Sequence, residues 1–497
     1  MGEGRDASGV WLPTEDFRWA ADFEAFLAAI DRDGQSAVDL VLNGDTFDLW
    51  HSTTSDCVPR DGTAGCTEAA ARARLDRVLE AHRAELAALG RFAAAGSNRV
   101  VFVPGDHDAA LGLPALARQV TAALGAPPGR AEVTAGGHWL SRDGRLYAEH
   151  GHQIGDSPEA VDARLALLEP GGQRLRRSAR ERALQPLWDR FEPTYPAVDN
   201  FAMVGAGLRS ALAAEGLVEV GDRGRGLLNH FLFSVTWQQF RMDLDGGETE
   251  APTWDVAKVR SDGPAFLVSA FPDDDPFKTV VAADLAAGRL AGIVESFSDE
   301  QLTTICDYRA AVRRARRRLE AIPTQLSGRG PAMTECPRLA DSRGAQFEYF
   351  WRSRDRVFGQ HLDGVEQRLQ RRPGSIAVLV HGHSHLPDRS QAGNNAINGG
   401  FTIVPEGFSP IRGAFTPVVI NDGAWQRTIT PVQFDRLKSE RGASDRDLLA
   451  SLRLEQLAPC YSFVSVPPYA KADPMPAVRY WRQAAGGQWA VAASCGA

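Results

Sequence analysis

Four short runs of β-forming residues in this chain each stop at a cluster of Asp, Asn, His and Gly, and that pattern commits the chain to an α/β layout. Val38–Leu42 ends at Asn43-Gly44-Asp45-Thr46-Phe47-Asp48, and Arg99–Val103 ends at Pro104-Gly105-Asp106-His107-Asp108. Arg145–Glu149 ends at His150-Gly151-His152, and Ile376–Val380 ends at His381-Gly382-His383-Ser384-His385. Segments of helical periodicity lie between the earlier runs. In an open α/β sheet, ligands bind beyond the carboxyl ends of the strands, so groups far apart in sequence converge on one crevice. Six of the eleven histidines fall in these clusters, which surface decoration does not explain.

Around the runs, apolar spacing predicts the packing layers. Thr14 is placed to cap a helix that carries Trp19, Phe23, Phe26, Leu27 and Ile30 on one face. A second, long helix is expected from Glu68 to about Ala95, with Leu75, Val78, Leu79, Leu86, Leu89 and Phe92 on one stripe. Beyond the fourth run, Ala396–Val404, Pro417–Ile420 and Trp425–Phe434 read as further strands joined by Gly and Asn turns, followed by a helix from about Arg436. Between His152 and Ile376 the pattern is mostly helical and broken by Pro and Gly, as in a large insertion. Its Arg-rich stretches, 174–182 and 309–318, read either as solvated helix faces or as a cap that offers guanidinium groups to a phosphate.

Charge and cysteine content exclude several classes. Asp and Glu number 63 against 55 Lys and Arg, a formal charge of −8, so there is no chain-wide attraction to nucleic acid or anionic membrane. A nuclease reading is disfavoured further by the lack of a basic, aromatic-lined stripe. Six cysteines are too sparse for a disulfide scaffold and form no CxxC, though Cys57 and Cys66 flank a loop and could pair. With no apolar run long enough for a bilayer and no leader pattern at the N-terminus, the expectation is a cytoplasmic protein.

A pair of divalent cations needs a bridging carboxylate with carboxylate, amide and imidazole ligands on either side, and the four clusters supply those types. In order, GDTFD at 44–48, GDHD at 105–108, HGH at 150–152 and GHSH at 382–385 resemble motifs of the calcineurin-like metallophosphoesterases. The resemblance covers roughly residues 14–155 and 370–435. It implies a four-layered α/β/β/α sandwich divided as core 1–155, insertion 156–370, core 371–435 and C-terminal extension 436–497. It also implies two divalent metal ions (Mn, Fe or Zn), with Asp45 bridging, Asp106, His150 and His383 on one ion, and His385 on the other. His107 is then the group facing the scissile bond, oriented and kept charged by Asp108, while Asp48, His152 and His381 support their neighbours without touching metal. The implied reaction is attack by a metal-bound hydroxide on a phosphate monoester, diester or pyrophosphate, with a small-molecule or lipid-linked substrate and specificity placed in the insertion.

Two departures qualify that expectation. The family's first motif, Asp-x-His, is absent, since no histidine here has Asp two positions before it. Either Met1 is an internal methionine and the natural protein begins earlier, or the chain lacks that strand and is an impaired homologue that binds a metal, an anion or a protein partner. The second departure is Asp106, a carboxylate where the family usually places Asn.

Overall fold

The computed structural model describes residues 1–12, 15–51, 67–154, 175, 188–202, 204–215, 254–269, 271, 273, 276–289, 292, 294–295, 297–299, 302–303, 306, 336, 358, 361–383, 385, 400–402, 418–466, 476–484 and 486–495. Contacts divide the chain into two units, Met1–Gly207 with Leu362–Ala497, and Leu208–His361. In the second unit the described regular elements are helices, among them Val256–Asp262, Pro264–Val268 and Pro276–Ala286, and a disulfide joins Cys306 to Cys336. Both Arg-rich stretches, apart from Leu175, and the pair Cys57 and Cys66 lie outside the described residues.

The first unit runs, in chain order, through α1 (Ala20–Asp33), β1 (Asp39–Asn43), α2 (Glu68–Ala81), α3 (Arg83–Ala94), β2 (Arg99–Val103), α4 (Pro114–Leu124), β3 (Ala131–Val133), β4 (His138–Leu140) and β5 (Leu146–Glu149). It resumes with β6 (Val378–His381), β7 (Gly400–Thr402), β8 (Val418–Asn421), α5 (Pro431–Arg441), α6 (Asp445–Ser451), β9 (Cys460–Ser465), β10 (Ala477–Gln483) and β11 (Trp489–Ala492). Three sheets result, ordered β1-β2-β3, β4-β5-β6-β8-β7 and β11-β10-β9. β1 and β2 pair in parallel with Asn43 opposite Val103, so the two Asp-rich loops leave the first sheet at the same end. β5, β6 and β8 are likewise parallel, which sends the HGH and GHSH turns out of the second sheet together.

Side-chain alternation builds the layers. Leu40 and Leu42 of β1 and Val100 and Phe102 of β2 pack with Phe26, Leu75, Val78, Leu86, Leu89, Leu116 and Val120 of α1–α4. Val41, on the opposite face of β1, packs with Leu146, Ala148, Val378 and Val380 of the second sheet. The described packing is therefore helices on sheet on sheet. The third sheet is tied to the same core: Tyr461 and Trp481 belong to the helix-side cluster, and the Phe26 ring lies 4.3 Å from Trp425, 5.1 Å from Phe463 and 5.9 Å from Trp481. Asp22 of α1 accepts from Tyr461 Oη at 2.8 Å and from Arg427 Nη2 at 3.2 Å. Cys460 and Cys495 close a disulfide at the edge of that sheet.

Three local expectations differ from what forms. The single helix from Glu68 to Ala95 is two helices, broken at His82 (φ −111°, ψ 31°). At the break, His82 Nε2 sits 2.9 Å from Glu15, a fully buried carboxylate that also accepts the N–H groups of Gly2, Gly4 and Phe17. Thr14 lies outside the described residues, and α1 starts at Ala20 with no side-chain cap. Trp425–Phe434 forms no strand, although Ile429 makes one bridge, to Phe201. Thr430 with Gln433 makes a capping box and Pro431 occupies the first turn, so the helix α5 takes that stretch.

Burial alone would raise Glu15 and lower His82, but each outweighs it for the other, holding Glu15 below the usual 4.5 and His82 above the usual 6.5. Glu15 thus adds stability that is present above pH 4.5 and lost as the pH falls, and His82 adds stability present below pH 6.5 and lost as the pH rises. Removing one member of such a buried pair costs about 3 kcal/mol. Denaturant unfolding of Glu15→Gln against the parent should show its widest gap between pH 4.5 and 6.5 and a narrower one at alkaline pH, once His82 has lost its proton. A gap constant across that range would show that the bond is not ionic.

Candidate metal centre

The strand ends bring Asp45, Asp106, His150 and His383 together, with one ligand atom from each lying within 4.8 Å of the others. His150 Nε2 is 2.9 Å from Asp45 Oδ2 and 3.1 Å from Asp106 Oδ1, and His383 Nδ1 is 3.1 Å from Asp106 Oδ1 and 3.2 Å from His150 Nε2. His150 Nδ1 lies 3.1 Å from the carbonyl oxygen of Asn43. Donation there fixes the tautomer and leaves Nε2 facing the carboxylates, the arrangement a metal-binding imidazole adopts. Two carboxylates and two imidazoles fit a divalent transition ion, so this group could hold a metal.

The backbone is forced to make this convergence. Asp45 (φ 50°), His383 (φ 66°) and His385 (φ 56°) all adopt the left-handed region, which disfavours any residue with a Cβ. Two glycines leave room for it. A Cβ on Gly44 would lie 2.2 Å from His150 Nδ1, and one on Gly105 would lie 2.0 Å from Asp45 Oδ1.

Burial would raise Asp45, but His150 and then His107 outweigh both burial and the neighbouring Asp106, holding it at about 2. Asp106 is likewise held well below its ordinary range against burial, chiefly by His383 and His150. The same carboxylates raise His150 well above the usual imidazole range. Asp45, Asp106, His383, Asp48 and His107 keep between 13% and 28% of their side-chain surface exposed, so the cluster has an open face.

His107 occupies that face. Its N–H donates to Asp45 Oδ1 at 2.9 Å, and its ring stacks on Trp50 with centroids 3.9 Å apart at 11°. Trp50 is itself held by donation from Nε1 to the Asp106 carbonyl at 2.9 Å. Burial would lower His107, but Asp45 and Asp48 push it up to about 9. Here the expected partnership is corrected. Asp48 Oδ1, not Asp108, lies 3.3 Å from His107 Nδ1. Asp108 is fully buried and spends its carboxylate on the N–H groups of Gly105, at 2.6 Å, and Phe47, at 3.1 Å, tying the two Asp-rich loops together. Burial and the charge of Asp45 raise Asp108 to about 7.

His385 stands outside the four-residue group. It is in electrostatic contact with Asp45, and its Nδ1 lies 3.2 Å from Gln426 Nε2. Burial lowers it to about 4. His152 also stands apart, its ring 5.5 Å from His150 and 6.2 Å from His383, and burial lowers it to about 4. His381 is buried with Nδ1 3.2 Å from the Gly382 carbonyl. Sequence reasoning missed Trp50, His51 and Asn43. His51 Nδ1 is 2.6 Å from Asp48 Oδ2, and Asn43 Nδ2 donates at 2.9 Å both to the Glu149 carbonyl and to Asp422 Oδ2. The only available signal was adjacency, since all three flank the GDTFD run. Comparison with protein-family models, with curated proteins and with solved structures finds no match.

Calorimetric titration with Mn²⁺ separates ligands from supports. Asp106→Ala and His150→Ala should weaken binding about 100-fold or more, whereas Asp108→Asn, which can still accept backbone N–H groups, should stay within about tenfold. Equal losses in all three would remove the distinction.

Proposed function

We propose that this chain is a metal-dependent phosphoesterase with the four-layered sandwich of the calcineurin-like enzymes. The observation that carries the reading is the gathering of Asp45, Asp106, His150 and His383 from four separate strand ends, with a partly exposed His107 beside them. A divalent ion held by those four groups supplies Lewis acidity toward a phosphoryl oxygen and makes hydroxide available near neutral pH.

The chain's own groups do the rest. Asp45 holds the His107 main chain in place, and Trp50 with Asp48 fixes the plane of its ring. Favoured in its charged form by Asp48 as well as Asp45, His107 can stabilise phosphoryl oxygens or give its proton to the departing oxygen. Asp48 accepts from both His107 and His51, so its charge stays matched by imidazolium on either side.

A second reading, a binding module without turnover, is favoured by one observation. Among the described residues only one four-ligand group forms, and His385 lies outside it. The two-ion centre of the family would need His385 and Asp45 to hold the second ion. Among the described residues no helix is long and apolar enough to cross a membrane. The disulfides Cys306–Cys336 and Cys460–Cys495 fit a compartment that keeps thiols oxidised and argue against the cytoplasmic expectation.

Hydrolysis of bis(4-nitrophenyl) phosphate with added Mn²⁺, alongside metal counting on the purified protein, tests both readings. The phosphoesterase reading expects turnover that EDTA abolishes, and a His107→Gln variant that binds Mn²⁺ normally while losing about 100-fold or more in kcat. Bound Mn²⁺ with no hydrolysis of monoester, diester or pyrophosphate would leave the binding module.

A further inference from the structure

Gln426 settles which nitrogen of His385 carries a proton. Its Nε2 lies 3.3 Å from the Asp199 carbonyl oxygen and 3.2 Å from His385 Nδ1. A carbonyl oxygen only accepts, so the amide group against it is the N–H side and not Oε1. The other N–H of that nitrogen then donates to Nδ1, and a ring nitrogen that accepts there holds no proton. His385 is therefore the tautomer with its proton on Nε2.

The amide is held against turning over. Asp199 leads into a stretch tied to the chain at Ile429, whose N–H donates to the Asn200 carbonyl and whose carbonyl accepts from the Ala202 N–H, each at 2.9 Å. On one side of Gln426, the Trp425 ring stacks on Tyr461 with centroids 4.9 Å apart at 14°. On the other, Arg427 reaches Tyr461 Oη and Asp22 Oδ2, both at 3.2 Å. Ser462 Oγ also donates to the Asp422 carbonyl at 2.7 Å, which anchors the start of the same loop. None of these contacts involves the metal centre.

This tautomer is the reverse of a ligand's. A metal-binding imidazole turns one lone pair to the ion and donates its other ring N–H to a carbonyl or carboxylate, as His150 Nδ1 is placed to do at 3.1 Å from the Asn43 carbonyl. In His385 the Nδ1 lone pair is taken by Gln426 and Nε2 carries hydrogen, so neither nitrogen is open to a cation. Placement agrees with this. Among the described residues only Asp45, Asp106, His150 and His383 bring ligand atoms within 4.8 Å of one another, and His385 does not join them. The place on a second ion that the family pattern gives His385 does not fit these residues.

His385 still belongs to the site. It is partly exposed and in electrostatic contact with Asp45, His107 and His150. With Nδ1 committed to Gln426, the group it can offer a bound molecule is an uncharged N–H. The oxygens of a phosphoryl group are acceptors only, so they suit that donor from one side while His107 serves them from another.

We infer that His385 is a substrate-binding residue that offers a neutral Nε2–H to a phosphoryl oxygen, with Gln426 as its positioning residue, and that it is no ligand of a second ion. The phosphoryl half rests on the phosphoesterase reading; the tautomer and the exclusion of metal do not.

The tautomer is read directly from long-range proton–nitrogen correlation spectra of the full chain with ¹⁵N-labelled histidine, without and with Zn²⁺, the His385→Gln spectrum assigning the signals. His385 should show a protonated Nε2 and a bare Nδ1 in both states, while the signals of His150 and His383 move on loading. Gln426→Leu should abolish that preference; a preference that survives it overturns the positioning role. His385→Ala should leave the Mn²⁺ affinity and the count of bound ions unchanged. The same variant, loaded with Mn²⁺, should bind inorganic phosphate about tenfold more weakly than the parent, and His385→Gln, which restores an N–H, should recover most of the loss. A proton on Nδ1, or an ion lost in His385→Ala, overturns the inference. Phosphate bound equally by parent and His385→Ala overturns the donor role. Phosphate that fails to bind the loaded parent overturns that role together with the phosphoesterase reading, and the spectra then speak for the tautomer alone.

Discussion

One carboxylate, that of Asp45, holds together parts of the first unit that no strand pairing connects. Its Oδ1 accepts the N–H of His107 at the end of β2, and its Oδ2 faces His150 at the end of β5, in the neighbouring sheet. Asn43, two residues earlier, repeats the link by donating to the Glu149 carbonyl and to Asp422 at the end of β8. The two sheets touch through apolar side chains such as Val41, Ala148 and Val380, but their relative register at the site end is set by these polar contacts. A shift of one residue along β1 would turn Asp45 to the other face and remove both links.

The strand ends were legible because they combine two signals, a β-forming run and an abrupt polar stop, and parallel pairing then dictates that such stops emerge together. Asp45, Asp106, His150 and His383 could be named in advance for that reason. Asp48 and Asp108 can both be named as supports, but not which of them reaches His107, because that depends on how the two loops lie against each other. The break at His82 was hidden, since its apolar stripe continues unbroken while the cause, Glu15, lies far away in sequence. The burial of Glu192 beside His51 was hidden more completely. No local motif marks an acidic residue whose neighbours come from another part of the chain.

Charge in the first unit is arranged in two unlike neighbourhoods. At the candidate metal centre Asp45 and Asp106 face His150 and His383 at hydrogen-bonding distance, with both carboxyls held low and His150 held high by one another. A few side chains away, Glu192 is buried with neither oxygen hydrogen-bonded among the described residues, and burial raises it, Asp16 and Asp199 above the ordinary carboxylate range. Asp48 and His51 lie at the border, where a 2.6 Å contact separates the matched side from the unmatched one.

The left-handed backbone at Asp45, His383 and His385 carries a lesson about what this chain has been shaped to keep. Glycine would relax each of those positions, and asparagine would come close, at a gain of the order of 1 kcal/mol apiece. Holding a carboxylate and two imidazoles there costs backbone freedom that glycine would keep, and at Asp45 the contacts with His107 and His150 offset that cost.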